Sequence, residues 1–441
     1  MLSNLSAERI QYVFLNTDDA ICATRKDGEL VYANPAAMKL FSLGSRQNEK
    51  LWENIPLVPE NDALNQLFID GIMKKKKNFR ALVDYVNRNG ERFCLHVSLT
   101  READDYGIFL IVASDMTKLV KVHSAFERYT SPDIADYVLT APDGEKQGGT
   151  DREVSILMSD LRGFTKISTA MSSSDLVTML NHYFERMAAV IDSLGGTVIE
   201  FLGDGIFVVF GAPKDMPGHA RTAAACAIEM QNAMTEVNSW NMEHGYPELE
   251  MGIGINSGIA AVGNIGSAKK MKYGCMGEAV NLAGRLESLT TGGQIFVTES
   301  TKCKISEGLK VAAEGSIMPK GGREPMKYYD VIGLENGPVL QQKAEEEVWI
   351  DAAESCRVTF YELEGKSVDK TGREGQMIRI TTNGRYGIMT SDCTLQPFQN
   401  LMIRIGGEDA YAKVMEVKGN ECRLCFTSKP SNLTELLTGS A

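Results

Sequence analysis

The chain has 441 residues, room for about three domains, and its 43% hydrophobic and 24% charged residues are the composition of a folded, water-facing protein. A formal net charge of −12 argues against a nucleic-acid binder, which needs a basic face to neutralise phosphates. No stretch approaches the ~20 apolar residues of a membrane span. The opening MLSNLSAERI lacks the charged head and long apolar core of a signal peptide. Of nine scattered cysteines, only Cys422 and Cys425 stand at C-x-x-C spacing. No second pair completes a zinc site, so the cysteines read as packing residues of a reducing compartment, the cytoplasm. The one basic run, Lys74 to Lys77, reads as a solvated loop or helix end.

Residues 1–116 alternate short β-rich runs with turn signals. AICATRKDGELVYANPAAMKLF predicts a strand, a turn at Lys26 to Gly28, a second strand, and a helix opened by Asn34-Pro35. FRALVDYV, ERFCLHVSL and GIFLIVASD follow at hairpin spacing. This order, with DGELVYANPAA and the terminal VASDMTKL, resembles a PAS sensor domain, an α/β fold. Its role is open between a small-molecule ligand and dimerisation alone. His96 is more simply a strand residue than a haem ligand.

Residues 117–150 predict a helical linker. Leu119, Val122, Phe126 and Tyr129 recur every three or four positions, and Ser131-Pro132 restarts the helix. That apolar stripe could pair with its twin in a second copy. The segment TAPDGEKQGGTD, from Thr140 to Asp151, predicts a polar break.

Residues 151–335 alternate strands and helices in an α+β order. Asp160 closes ILMSD, and Asp204 sits in the tight LGDG turn between EFL and IFVVF. An acid at a strand end is ordinarily a turn former or a cap. Here it has company: SDLRGFT, EFLGDGIFVVF, YGCMGEAVNLAGRLES and KGGREPMKYYDV occur in that order. Together they resemble the catalytic domain of the class III nucleotide cyclases, a ferredoxin-like α+β fold.

The resemblance implies a two-metal reaction. Asp160 and Asp204, helped by the backbone of Leu161, would hold two Mg2+ or Mn2+ ions. The N–H groups around Gly163, Phe164 and Thr165 would take phosphate oxygens. Asn281 would orient the ribose and Arg285 would stabilise charge on the α-phosphate; the two are four apart and share a helix face. Lys320 would reach the terminal phosphates, with Arg323 and Lys327 as alternatives in the same glycine-rich segment. In the family each site lies between two catalytic domains. Both halves stand intact on this chain, which implies a homodimer.

Base choice rests on two positions. The adenylate cyclases use lysine where this chain has Glu200. A carboxylate only accepts hydrogen bonds and matches guanine, whose edge carries two donors. Gly274 replaces the Asp or Thr of the adenylate enzymes and leaves room for the guanine carbonyl. A one-residue slip would put Cys275 there instead. GTP is therefore the expected substrate and cyclic GMP the product. ATP is the alternative, and a dimeric nucleotide-binding scaffold without activity is the alternative of another class.

Residues 345–435 show only short strands, among them MIRIT, RYGIMT and CRLCFT, and predict a small β-barrel. It resembles a PilZ domain, which implies a cyclic nucleotide or a protein partner. The PilZ turn is altered, however: Thr382 to Gly387 reads TNGRYG, keeping the glycine and losing the acid and serine. The expectation is thus a multidomain α+β chain with a sensor, a catalytic domain and a barrel.

Overall fold

A computed structural model describes residues 7–438 except 45–48, 74–77, 102–106, 318–324, 342–346, 354–355, 365–366, 370 and 431. The Lys74 to Lys77 run therefore lies outside the described residues. Two compact units divide the chain, Met1–Tyr129 and Thr130–Ala441.

The first unit holds α1 (Ala7–Leu15), β1 (Ala20–Thr24), β2 (Leu30–Ala33), α2 (Pro35–Leu40), α3 (Asp62–Met73), β3 (Asn78–Val86), β4 (Arg92–Arg101), β5 (Phe109–Asp115) and α4 (Thr117–Tyr129). Its sheet runs β2-β1-β5-β4-β3. Gly28 takes φ 92° in the turn where glycine is expected. Asn34, fully buried, joins three pieces of this unit. Its Oδ1 caps α2 through Ala37 N at 2.9 Å and also accepts from Ile21 N at 3.0 Å. Its Nδ2 donates to Asp19 O at 2.8 Å. Strand β4 exposes His96.

The second unit opens with α5 (Pro132–Thr140), capped by Ser131 Oγ accepting from Ile134 N. The elements that follow are β6 (Gly148–Leu161), α6 (Phe164–Ala170), α7 (Ser173–Ser193), β7 (Thr197–Leu202), β8 (Gly205–Phe210), α8 (His219–Glu243), β9 (Met251–Ser267), β10 (Lys270–Met276), α9 (Glu278–Leu289), β11 (Ile295–Thr298), α10 (Glu299–Ile305), β12 (Leu309–Ile317) and β13 (Met326–Leu334). Strand β6 begins at Gly148, inside the segment expected to be a break. Gly148 and Gly149 pair with Asn264 and Gly263 of the long β9, so the helical part of the linker ends at Thr140.

The first sheet of this unit runs β12-β13-β11-β9-β6-β8-β7, with β10 hairpinned onto β9. Both faces are covered, which explains the unbroken apolar runs of β6 and β8. On one face Leu157, Val208 and Ile253 meet Tyr183 and Met187 of α7 and the alanine-rich side of α8. On the other, Val154, Ile156 and Val209 meet Ala279 and Ala283 of α9.

The chain then adds β14 (Trp349–Asp351), β15 (Arg357–Glu364), β16 (Ser367–Val368), β17 (Arg373–Thr381), β18 (Tyr386–Thr390), β19 (Asn400–Ile405), β20 (Glu408–Lys418), β21 (Glu421–Ser428) and α11 (Leu433–Thr438). The order β17-β18-β21-β20-β19-β15 closes because β15 also pairs with β17. Closure leaves a six-stranded barrel around Phe360, Ile380 and Leu424. Cys422 packs inside it and Cys425 is also buried; both are free thiols. No described helix is long and apolar enough to cross a membrane.

Replacing Asn34 with alanine strands two buried N–H groups, and each stranded group costs roughly 1–3 kcal/mol. Asn34→Ala should therefore lower the urea midpoint of the first unit, read by Trp52 fluorescence, while the second unit's transition stays in place.

Candidate active site

Strands β6 and β8 run antiparallel with Ser159 opposite Ile206. That register sets Asp160 beside the turn that holds Asp204. Gly203 takes φ 70°, and Gly205 has no room for a side chain. A Cβ at Gly205 would lie 2.7 Å from Ser159 O and 3.4 Å from Asp160 Oδ1. Glycine is what lets the Asp160 carboxylate approach the turn. The Asp204 carboxylate accepts from the Leu161 N–H and faces Asp160. Burial, then the Asp160 charge, pushes the Asp204 carboxyl up to about 6.

Beyond the acids the chain turns sharply. Leu161 is buried in the core. Arg162 ion-pairs with Glu287 of α9, and its Nη2 lies 3.6 Å from Asp160 Oδ2. Gly163 takes φ 67° and caps α6 without a side chain. Phe164 leans on the core and Thr165 is exposed. The structure thus brings Asp160, Leu161, Gly163, Phe164, Thr165 and Asp204 to one end of the sheet.

Helix α9 turns Ala279, Ala283 and Leu286 inward and leaves Asn281 and Arg285 exposed. The two polar residues share the outward face, available to a second molecule rather than to their own core.

The third group lies on β7 and β10. Glu200 Oε2 accepts from Lys272 Nζ at 2.5 Å, which ties β7 to β10. Strand alternation puts Lys272, Gly274 and Met276 on one side of β10. Tyr273 and Cys275 belong to the core cluster under α9. The Cys275 side chain is buried in that cluster, on the opposite side of β10 from Lys272 and its partner Glu200. Lys272 was not singled out from sequence. The signal was there, since it stands two residues before Gly274 and so on the same strand face. Exposed apolar residues surround this group, namely Phe201, Leu202, Met271 and Met276.

Lys320 and Arg323 lie outside the described residues. Lys327 is described, and its Nζ sits 3.7 Å from Glu299 Oε2.

Residues 147–333 match the family described as the adenylate and guanylate cyclase catalytic domain, and residues 18–118 match the PAS domain family. Residues 147–333 thus carry the match to a class III nucleotide cyclase catalytic domain. The chain is 31% identical over 185 residues to Adenylate cyclase 1 of Rhizobium meliloti, covering 42% of this chain and 28% of that protein. It is 30% identical over 251 residues to the adenylate cyclase of Anabaena cylindrica, covering 52% and 48%. The chain thus spans less than half the length of either relative. Among solved structures, the guanylyl cyclase Cya2 is similar at 46% identity, with 44% of this chain and 100% of that chain covered and a TM-score of 0.43. The adenylyl cyclase CyaB from P. aeruginosa is similar at 31%, covering 43% and 97%, with a TM-score of 0.41.

The cyclase domain's acid pair fits a divalent cation. Two carboxylates face each other with their charges only partly offset by Arg162, and carboxylate oxygens are the hard ligands that Mg2+ and Mn2+ take. Among the described residues no third His, Cys, Asp or Glu joins them. When bound, such ions acidify a coordinated hydroxyl and screen phosphate charge.

A cation needs both carboxylates ionised, and the proton on Asp204 competes with it. Mn2+ affinity should fall about tenfold per unit below about pH 6 and level off above it, as titration calorimetry on the metal-free chain would show. In that metal-free chain the folded pKa lies above the unfolded one. Ionising Asp204 therefore costs stability as pH rises from about 4 through 6, and the cost stays constant beyond.

Proposed function

We propose that the chain is a guanylate cyclase that converts GTP to cyclic GMP and pyrophosphate between two copies of its catalytic domain. The observation that carries the choice of base is the Glu200 carboxylate standing on the same side as the bare Gly274. Glu200 would accept from the ring N–H and the amine of guanine, while Gly274 leaves space for its carbonyl. Adenine offers a lone pair where guanine has its ring N–H. That mismatch would leave Glu200 facing an acceptor, at a cost of roughly 1–3 kcal/mol.

In this reading Asp160 and Asp204, with the Leu161 backbone, hold two Mg2+ or Mn2+ ions. The Gly163–Thr165 turn receives phosphate oxygens, and Lys320 reaches the terminal phosphates. The ribose 3′-oxygen would give its proton to solvent and bond to the α-phosphorus as the bond to the leaving pyrophosphate breaks. Asn281 of the second copy holds the ribose in line, and Arg285 of that copy meets the charge that develops on the α-phosphate. The outward face of α9 and the exposed Phe201, Leu202, Met271 and Met276 support a homodimer. So does the helical stripe, with Leu119, Val122 and Tyr129 exposed. The PAS domain and the barrel are then regulatory modules of a cytoplasmic enzyme. The PilZ-like character of the barrel rests on sequence resemblance, and its partner is a cyclic nucleotide or a protein.

ATP is the second reading, and a specific observation favours it. Lys272 offers a donor 2.5 Å from Glu200, and such a pair could meet the ring acceptor and the amine of adenine. The relatives named above as adenylate cyclases point the same way.

The double variant Glu200→Lys with Gly274→Asp separates the two readings. A side chain at position 274 meets Ile265 Cδ1 at 3.1 Å, a movable side-chain end, so the variant should fold. Its ratio of kcat/KM for GTP over ATP should fall by more than tenfold, because each lost pairing is worth about 1–3 kcal/mol. An unchanged ratio removes Glu200 from base recognition. Asp204→Ala should abolish product and leave the dimer intact by light scattering.

A further inference from the structure

The barrel reaches into the catalytic domain at the helix that carries Asn281 and Arg285. Lys413, on β20, is 3% exposed. Its Nζ donates to Ser288 O at 2.7 Å and Thr290 O at 2.9 Å. These carbonyls lie in the last turn of α9 and just past it. A helix's final carbonyls lack partners within the helix and carry its negative end. Helix α9 has no basic residue of its own in its last turn. The cation that closes it comes from 123 residues away, in another domain.

We propose that Lys413 is a positioning residue for the cyclase reaction, fixing from the barrel the axial seat of α9 and with it the placement of Asn281 and Arg285. The inference rests on the cyclase reading of the preceding subsection.

Three further observations support it. The contact is enclosed, with Lys413 buried, and burial followed by the nearby Arg162 charge pushes the Lys413 ammonium down to about 7. Removing an ammonium from water is costly, and its two bonds to α9 answer only part of that cost. The segment after the helix is gripped as well. Arg385 donates to Gly292 O at 3.0 Å and lies 3.4 Å from Glu250, while Cys425 meets the Thr291 hydroxyl. Finally, the end of α9 is tied to the acid-bearing strand through the Arg162–Glu287 pair. One short stretch, Glu287 to Gly292, therefore links the barrel, the helix of one half-site and the acids of the other.

Arg285 sits three residues from this anchor, and its carbonyl accepts from Ser288 Oγ at 2.8 Å. Small shifts of a charge-stabilising group lower the chemical step far more than they lower ground-state binding. The effect of losing the anchor should thus appear in kcat.

The test compares full-length Lys413→Met, which keeps the aliphatic stem and loses the donors, with Lys413→Arg, which restores them. Leu401→Ala, in the barrel core, serves as the stability control. Lys413→Met should lower kcat about tenfold with KM for GTP within about twofold. Amide exchange over residues 286–293 should quicken while α7 stays protected. Lys413→Arg should recover most of kcat, and Leu401→Ala should lower the melting temperature without that split. Unchanged kcat and unchanged exchange in Lys413→Met overturn the proposal, as does an equal loss of kcat in Leu401→Ala. Absence of turnover by the wild-type chain with either nucleotide contradicts the cyclase reading instead. The exchange of α9 in Lys413→Met then still decides whether the barrel holds the helix.

Discussion

Two carboxylates held side by side repel each other, and the catalytic domain is built so that Asp160 and Asp204 cannot move apart. The antiparallel register of β6 and β8 fixes one, and the two-residue turn Gly203-Asp204 between β7 and β8 fixes the other. The strain shows in the Asp204 carboxyl, which holds its proton to about 6. Arg162 answers part of this charge but is itself spoken for by Glu287. What remains is a negative site opening where β6 turns into the glycine-capped α6. Divalent cations and the phosphates that accompany them fit such a place. The role of Gly205 follows from the same constraint, since a side chain there would meet the strand that carries Asp160.

Much of this was legible in the residues themselves. Apolar runs ending in acids gave the strands, and ordered glycine-rich motifs located the turns. Asn34, Ser131 and Gly28 sit at the caps and turns their types predict. Where reading fell short, the cause was usually distance along the chain. The pairs Arg162–Glu287, Glu200–Lys272 and Lys413–Thr290 join residues 125, 72 and 123 positions apart. No local pattern announces such contacts. The glycine-rich segment before Asp151 reads as a break because glycine favours turns. Its pairing with the far end of β9 is again a long-range fact. Cys275 is buried beneath α9, a placement that its neighbours in the sequence do not announce. Lys320 remains a sequence expectation, lying outside the described residues.

The barrel is the part whose place was least evident. Its short strands announced closure, and a six-stranded barrel closes around Phe360 and Leu424. Nothing in its composition marked Lys413, one lysine among many, as buried. Burial makes it informative, because a charged side chain is rarely enclosed without a partner. Its partners are the carbonyls of α9, so the barrel belongs to the mechanical frame of the catalytic domain.

The central claim is that this frame presents a carboxylate, Glu200, to the donor edge of guanine across a shared acid site. The most direct measurement offers the full-length chain equal concentrations of GTP and ATP with Mn2+ and identifies the cyclic product by mass spectrometry. The account predicts cyclic GMP in clear excess. Cyclic AMP as the main product would contradict the assignment of the base, and no cyclic product from either nucleotide would contradict the account as a whole.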